Sequence, residues 1–409
     1  MRWVFFCVLL GACNKPIDFP SGAATWPNPA VPSWAHDGRF AITDNKSDQL
    51  SFVSADASKP AYFGAIHVGD IPVELEGPHH IAASKDGRYL YVNLSNYVPG
   101  SGTGPHGSHG SGTVPGSLLK LDAVTGEKLG EAALDRNPGD VILSADNSLA
   151  FVTHYDLLLV QTVLMSPTYV PADAPKTYAS VIIVDTATMT PIGKTEPPVC
   201  PAPHGEGLSL DQKTLYVVCA ESDELVTIDV SNPSAPKLKT RLFIGPSPGP
   251  LLSPSYFPYA LAVSPKDGTV WISNNNSHDV RVYDPATGKM DPARTILLGG
   301  GAGVAMFGSF TKSGDAFYVP HQGDDRLTRI DTRDVTKTAE LVLPEGDTGC
   351  LNAHAFVLTP DEQTGLVVCE GNHTDAASVI FVSVPTFSAS GAVKTGVFSD
   401  GAAWLPAAP

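Results

Sequence analysis

The sequence predicts an all-β chain, a seven-bladed β-propeller with four antiparallel strands per blade. Three observations carry that prediction. A short pattern, an apolar run, a polar turn holding Asp, Gly or Asn, and a second apolar run, recurs seven times along the chain. Such a pattern is the signature of a β-hairpin. Further strand-like segments follow the hairpins, and the 38 Gly and 36 Pro are spread along all 409 residues, as many short elements joined by tight turns require.

The copies read SWAHDGRFAI, AASKDGRYLYV, ILSADNSLAFV, LSLDQKTLYV, AVSPKDGTVWI, SFTKSGDAFYV and VLTPDEQTGLVV. The small residue before each turn serves as an anchor: Ala35, Ser84, Ser144, Ser209, Ser264, Thr311 and Thr359. Seven residues after each stands a large apolar side chain, from Ile42 and Tyr91 through Phe151, Tyr216, Trp271 and Tyr318 to Leu366. A third strand such as LVTIDVSN or RLTRIDTRD follows, and then a fourth such as TRLFIG or AELVLPEG. Seven four-strand units fit a propeller and neither a sandwich nor a parallel α/β fold. Asp229, Asp284 and Asp331 in the third strands read as turn formers. No helix of useful length is expected.

With TLYVVCAESDELVTIDVSN as its closest copy, the repeat resembles the YVTN repeats of YncE-like propellers, and the resemblance spans roughly residues 30–400. It implies the fold; relatives of such families bind, scaffold or catalyse, so it does not imply one activity.

The first residues read as a targeting segment. Met1-Arg2 starts it, Trp3 to Leu10 is an apolar run too short to span a bilayer, and Leu10-Gly11-Ala12-Cys13 resembles a bacterial lipobox. Residues 1–12 would then be a lipoprotein signal, Cys13 the acylated residue, residues 13–30 a Pro/Gly-rich tether, and residues 31–409 a single propeller domain. The expectation is an extracytoplasmic chain, lipid-anchored to a bacterial membrane on its periplasmic or outer side, and monomeric. An ordinary secretory signal with a chance cysteine is the alternative. The net charge of −16 argues against nucleic acid as a partner.

In a propeller, equal offsets in different blades form rings about the axis. Five residues before the anchor the ring reads Ala30, His79, Gly139, His204, Tyr259, Met306 and His354, with His80 next door. Ten after it the ring reads Asn45, Leu94, His154, Cys219, Asn274, His321 and Cys369, with His278, Glu370 and His373 close by. Converging imidazoles are what zinc and copper need, so His79, His80, His204 and His354 are the candidate ligands. His154, His321 and Met306 are further candidates, the thioether favouring copper. The arrangement is loosely similar, at the level of a site, to the copper-binding propellers of nitrous-oxide reductase and of selenium-binding-protein relatives. A polar ring that merely fills the channel mouth is the plain alternative. Blades two, four and seven are not neighbours, so geometry decides whether one ion can be reached from all three.

Cys200 and Cys350 lie nine residues before their anchors, and Cys219 and Cys369 ten after. Those places share a face, so Cys200–Cys219 and Cys350–Cys369 are expected as disulfides within a blade, in keeping with export. Such bridges would stiffen the loops holding His204 and His354; thiolate ligation is the rival. Two insertions fall on this face. Residues 93–117 set His106 and His109 among Gly and Ser, as ligands, a cover or a solvated loop. Residues 153–180 hold the apolar run LLLVQTVLM, read as a lid or a docking element.

Three functions fit: a lipid-anchored binding propeller with a histidine site for copper or zinc, a copper oxidoreductase using the same cluster, and a scaffold docking an envelope protein on this face. No nucleophile elbow, phosphate loop, HExxH or CxxCH motif is present, and no catalytic residue is assigned.

Overall fold

In the computed structural model, residues 23–24, 35, 37–69, 76–95, 114–299 and 303–408 are described, and the statements below concern these. The signal segment, Cys13, Ala30, His106 and His109 lie outside them. Seven antiparallel blades of four strand positions follow one another; Ala23–Ala24 adds a short parallel edge to blade one, and a two-stranded ladder of Tyr178–Ala179 with Cys200–Pro201 lies apart from the blades. The innermost strands of blades two to five and seven are Pro78–Ala83, Pro138–Leu143, Pro203–Leu208, Pro258–Val263 and Ala353–Leu358. In blade six the innermost strand is broken into Val304–Ala305 and Ser309–Phe310.

The anchor residues earn their recurrence at the hairpin turn. Ser84, Ser144, Ser209 and Thr359 each donate a hydroxyl to the Asp two residues on, at 2.6 Å. Each hydroxyl oxygen also accepts the backbone N–H that opens the second strand, at 2.9–3.1 Å. A small hydroxylated side chain therefore closes the turn from both sides. Asp229, Asp284 and Asp331 accept turn N–H groups two residues on, as expected.

The cores lie between blades rather than within them. Tyr91 and Leu118 of blade two pack on Val141, Val152 and Ile182 of blade three. Trp271 and Val282 of blade five pack on Phe317 and Ile330 of blade six. Alternate side chains of each sheet face opposite neighbours, so every blade serves two cores.

Blade one departs from the sequence expectation. Its innermost strand is Ser399–Leu405, from the far end of the chain, paired antiparallel with Arg39–Asp44. Asp44 pairs with Ser399 as Leu94 pairs with Pro78, and Ala41 with Ala403 as Tyr91 pairs with Ala82. The register of blade one is thus one residue away from the anchor reading: Ala41, not Ile42, stands where Tyr91 does, and Asp44, not Asn45, completes the second ring. The ring place of Ala30 belongs to Asp400. Closing the circle with strands from both ends of the chain ties them together through the sheet ladder.

A helix is present where none was expected. Leu157–Leu164 opens on Asp156, whose carboxylate accepts the Leu159 N–H, a standard N-cap. Val160 is its one fully buried residue, and Leu157 packs on the apolar cluster of Tyr155, Tyr259 and Met306 at the channel end. No described helix is long and apolar enough to cross a membrane.

Both disulfides are formed, Cys200–Cys219 and Cys350–Cys369, with Cα atoms 5.9 and 5.4 Å apart.

Candidate functional site: a buried histidine and carboxylate centre

The ring residues converge because the innermost strands bulge there. In blade two Pro78 pairs with Leu94 but Ile81 with Val92, so three steps on one strand face two on the other. The same shift falls at His204 in blade four, Tyr259 in blade five, His354 in blade seven and Asp400 in blade one. A bulge frees a residue from strict alternation and re-aims its side chain. This explains why two consecutive histidines, His79 and His80, serve one place; their rings lie 4.5 Å apart. Second-strand side chains hold the bulges from the neighbouring blade. The Thr43 hydroxyl donates to the His79 carbonyl at 2.6 Å, and that of Thr153 to the His204 carbonyl at 2.7 Å.

Blades two and four meet because blade three withdraws. Its ring residue is Gly139, where a Cβ would already stand 3.4 Å from the His204 ring. The rings of His79 and His80 approach that of His204 to 5.6 and 5.4 Å. One potential ligand atom from each of His79, His80 and His204 lies within 4.8 Å of the others. His354 reaches the same region from the far side, 6.0 Å from His80 between ring centres, but groups with Glu370 and Asp400 instead. Tyr259 stacks on His204 at 4.0 Å, and Phe307 lies against His80 at 4.6 Å. The imidazoles are deeply buried, from 0% exposed for His204 and His354 to 6% for His80.

The electrostatics set the imidazole tautomers. His80 Nδ1 lies 3.1 Å from the Asp140 carboxylate, which takes the N–H there and turns Nε2, without a hydrogen-bond partner among the described residues, to the site. A carboxylate behind a histidine is the usual support of a metal-ligating imidazole. Burial, with Glu370 nearby, holds the Asp400 carboxyl well above the ordinary carboxylate range. Burial and the neighbouring Asp140 do the same to Glu206, two residues beyond His204 on the same strand.

The second-ring candidates have other employment. His154 is buried with Nδ1 2.9 Å from the Ser180 carbonyl, and burial lowers it to about 4. His321 sits between Asp324 at 2.7 Å and the Thr328 hydroxyl at 2.9 Å. Neither belongs to the two potential ligand groups. Met306 is buried beside Tyr155 and Tyr259. Cys219 and Cys369 are bonded to their partner cysteines, not held as thiolates. Two residues escaped the sequence reading, Asp140 and Asp400. The signal for Asp400 was available: SDGAAW near the C-terminus aligns with PHHIAA once it is seen as an innermost strand.

Comparison with known proteins places residues 213–242, in blade four, in the LVIVD repeat family. No curated protein matches the chain. Among solved structures, the periplasmic gluconolactonase PpgL of Pseudomonas aeruginosa superposes with a TM-score of 0.65 at 15% identity, covering 91% of this chain and 99% of that one. A putative 6-phosphogluconolactonase of Bacteroides uniformis gives 0.62 at 14% identity, with 90% and 100% covered. The hydrazine synthase of Kuenenia stuttgartiensis gives 0.55 at 20%, with 76% and 77% covered. At such identities the likeness is one of fold. The chain is a seven-bladed β-propeller carrying an LVIVD repeat.

Proposed function

We propose that this chain is a metal-binding β-propeller of an extracytoplasmic compartment, holding copper or zinc on His79, His80 and His204. The observation that carries the reading is the convergence of three buried imidazoles with potential ligand atoms within 4.8 Å of one another. Neutral imidazole suits copper and zinc, and three such ligands leave a position open for a small ligand. Gly139 supplies the room, and Asp140 orients His80. The two disulfides support an oxidising compartment. The lipobox-like Leu10-Gly11-Ala12-Cys13 supports anchoring through a lipid on Cys13.

Metal analysis of the full chain, purified from copper- and zinc-supplemented medium, tests the reading. At least one copper or zinc ion per chain is expected. The double variant His80→Ala, His204→Ala should lose that ion while keeping both disulfides and a cooperative melt. Undiminished metal in the variant overturns the ligand assignment.

A further inference from the structure

We infer that the channel holds a second metal position beside the three imidazoles, built by His354, Glu370 and Asp400, so that the site is a dinuclear centre. The inference extends the three-histidine reading but stands on its own residues.

The three side chains come from three separate places in the fold. His354 is the bulged residue of blade seven's innermost strand, and Glu370 follows directly on that blade's second strand. Asp400 sits in the strand from the chain's C-terminal end that completes blade one. All three are 0% exposed, with one potential ligand atom from each within 4.8 Å of the others.

Proton placement argues for a cation. His354 Nδ1 lies 2.9 Å from the Asp400 backbone carbonyl, which can only accept, so the neutral ring carries its proton there. Its Nε2 lone pair then faces the Glu370 carboxylate at 3.7 Å, one acceptor toward another. Asp400 Oδ1 is buried with no hydrogen-bond partner among the described residues. Two acceptors opposed across a gap, beside a further bare carboxylate oxygen, match the donor set of a bound cation.

Outer partners complete the arrangement. The Gln322 amide donates to Glu370 Oε1 at 2.6 Å, His373 Nε2 lies 3.0 Å from Glu370 Oε2, and the Asn45 amide donates to Asp400 Oδ2 at 3.2 Å. Such partners fix the ligands of a metal site. Asp400 Oδ2 is also 3.8 Å from His79 Nε2, and the rings of His80 and His354 are 6.0 Å apart, so the two positions adjoin. One imidazole and two carboxylates suit harder divalent ions such as manganese better than three imidazoles do, and still accept zinc.

The test uses the full oxidised chain, stripped with a chelator and reloaded with zinc. Zinc per chain is measured by elemental analysis and by calorimetric titration. Wild type should take two ions, Glu370→Gln/Asp400→Asn one, and His80→Ala/His204→Ala one. The Gln/Asn pair is nearly isosteric and removes buried charge, so its melting point, measured alongside, shows whether it has folded. Folded wild type and folded Gln/Asn variant both taking one ion would overturn the second position and leave the three-histidine site standing. One ion in wild type, lost from the Gln/Asn variant and kept by the His variant, would overturn the three-histidine site and the pairing. No ion in wild type overturns both.

Discussion

Replacing Cys350 and Cys369 together by alanine should lower the stability of the propeller by about 3 kcal/mol. The bridged residues are 19 apart in sequence, and closing a loop of that size removes roughly 11 cal/mol/K from the unfolded chain, about 3 kcal/mol at 25 °C. Unfolding a chain of this length releases roughly 0.8 kcal/mol per kelvin, so the melting point should fall about 4 °C. The second disulfide has the same separation of 19, so Cys200→Ala/Cys219→Ala should cost nearly the same. The two should differ at the site. Glu370 follows Cys369 directly, so only the blade-seven variant should weaken zinc at the carboxylate position, about tenfold if the bridge acts as other outer supports do. Scanning calorimetry with a urea titration reads the stability, and zinc titration of the stripped protein reads the affinity. A melting point unchanged in both variants, or a loss confined to one of them, would refute the loop-closure reasoning.

Other expectations follow from particular contacts. Gly205→Ala, one residue past His204, places a Cβ 2.6 Å from Ala260 Cα, 2.8 Å from the Tyr259 carbonyl and 2.9 Å from the Leu261 nitrogen. Because the obstacle is backbone, the bulge must shift. About 1–3 kcal/mol of stability should be lost, with weaker metal binding, and unchanged melting and titration would contradict this. The pH dependence should carry a signature of His154, whose folded value of about 4 lies below its ordinary 6.5. Between those values the unfolded chain binds the extra proton, so stability is fully present above pH 6.5 and declines as pH falls toward 4. The whole effect is on the order of 3 kcal/mol. His154→Asn should flatten urea-midpoint curves in that window, and an unaltered slope would remove His154 as the source. The metal counts for His80→Ala/His204→Ala and Glu370→Gln/Asp400→Asn are the remaining tests.

Much of this molecule was legible because a propeller is built from local repeats. A hydroxyl at Ser84, Ser144, Ser209 or Thr359 closes its own hairpin, so the turn announces itself within about five residues. The cysteine spacing was readable for the same reason, since each pair spans one hairpin. The candidate site was legible only as a ring of offsets. That reading gathered His79, His80, His204 and His354, but it also kept His154 and His321 as further candidates, although the fold gives both their own partners. It also passed over the helix Leu157–Leu164, whose apolar run lacks the length that separates a helix from a strand by pattern alone.

The sequence by itself determined the number of blades, the pairing of the cysteines and the presence of imidazoles at recurrent places, because each depends on neighbours along the chain. Tertiary structure alone decided that Ser399–Leu405 completes blade one and so delivers Asp400 to the centre, a pairing across some 355 residues. It alone decided that bulges turn His79 and His80 together, and that Gly139 clears the way for His204. The physical reason is that a bulge is a mismatch between two strands, and a gap is the absence of a side chain between two others; neither is a property of one segment.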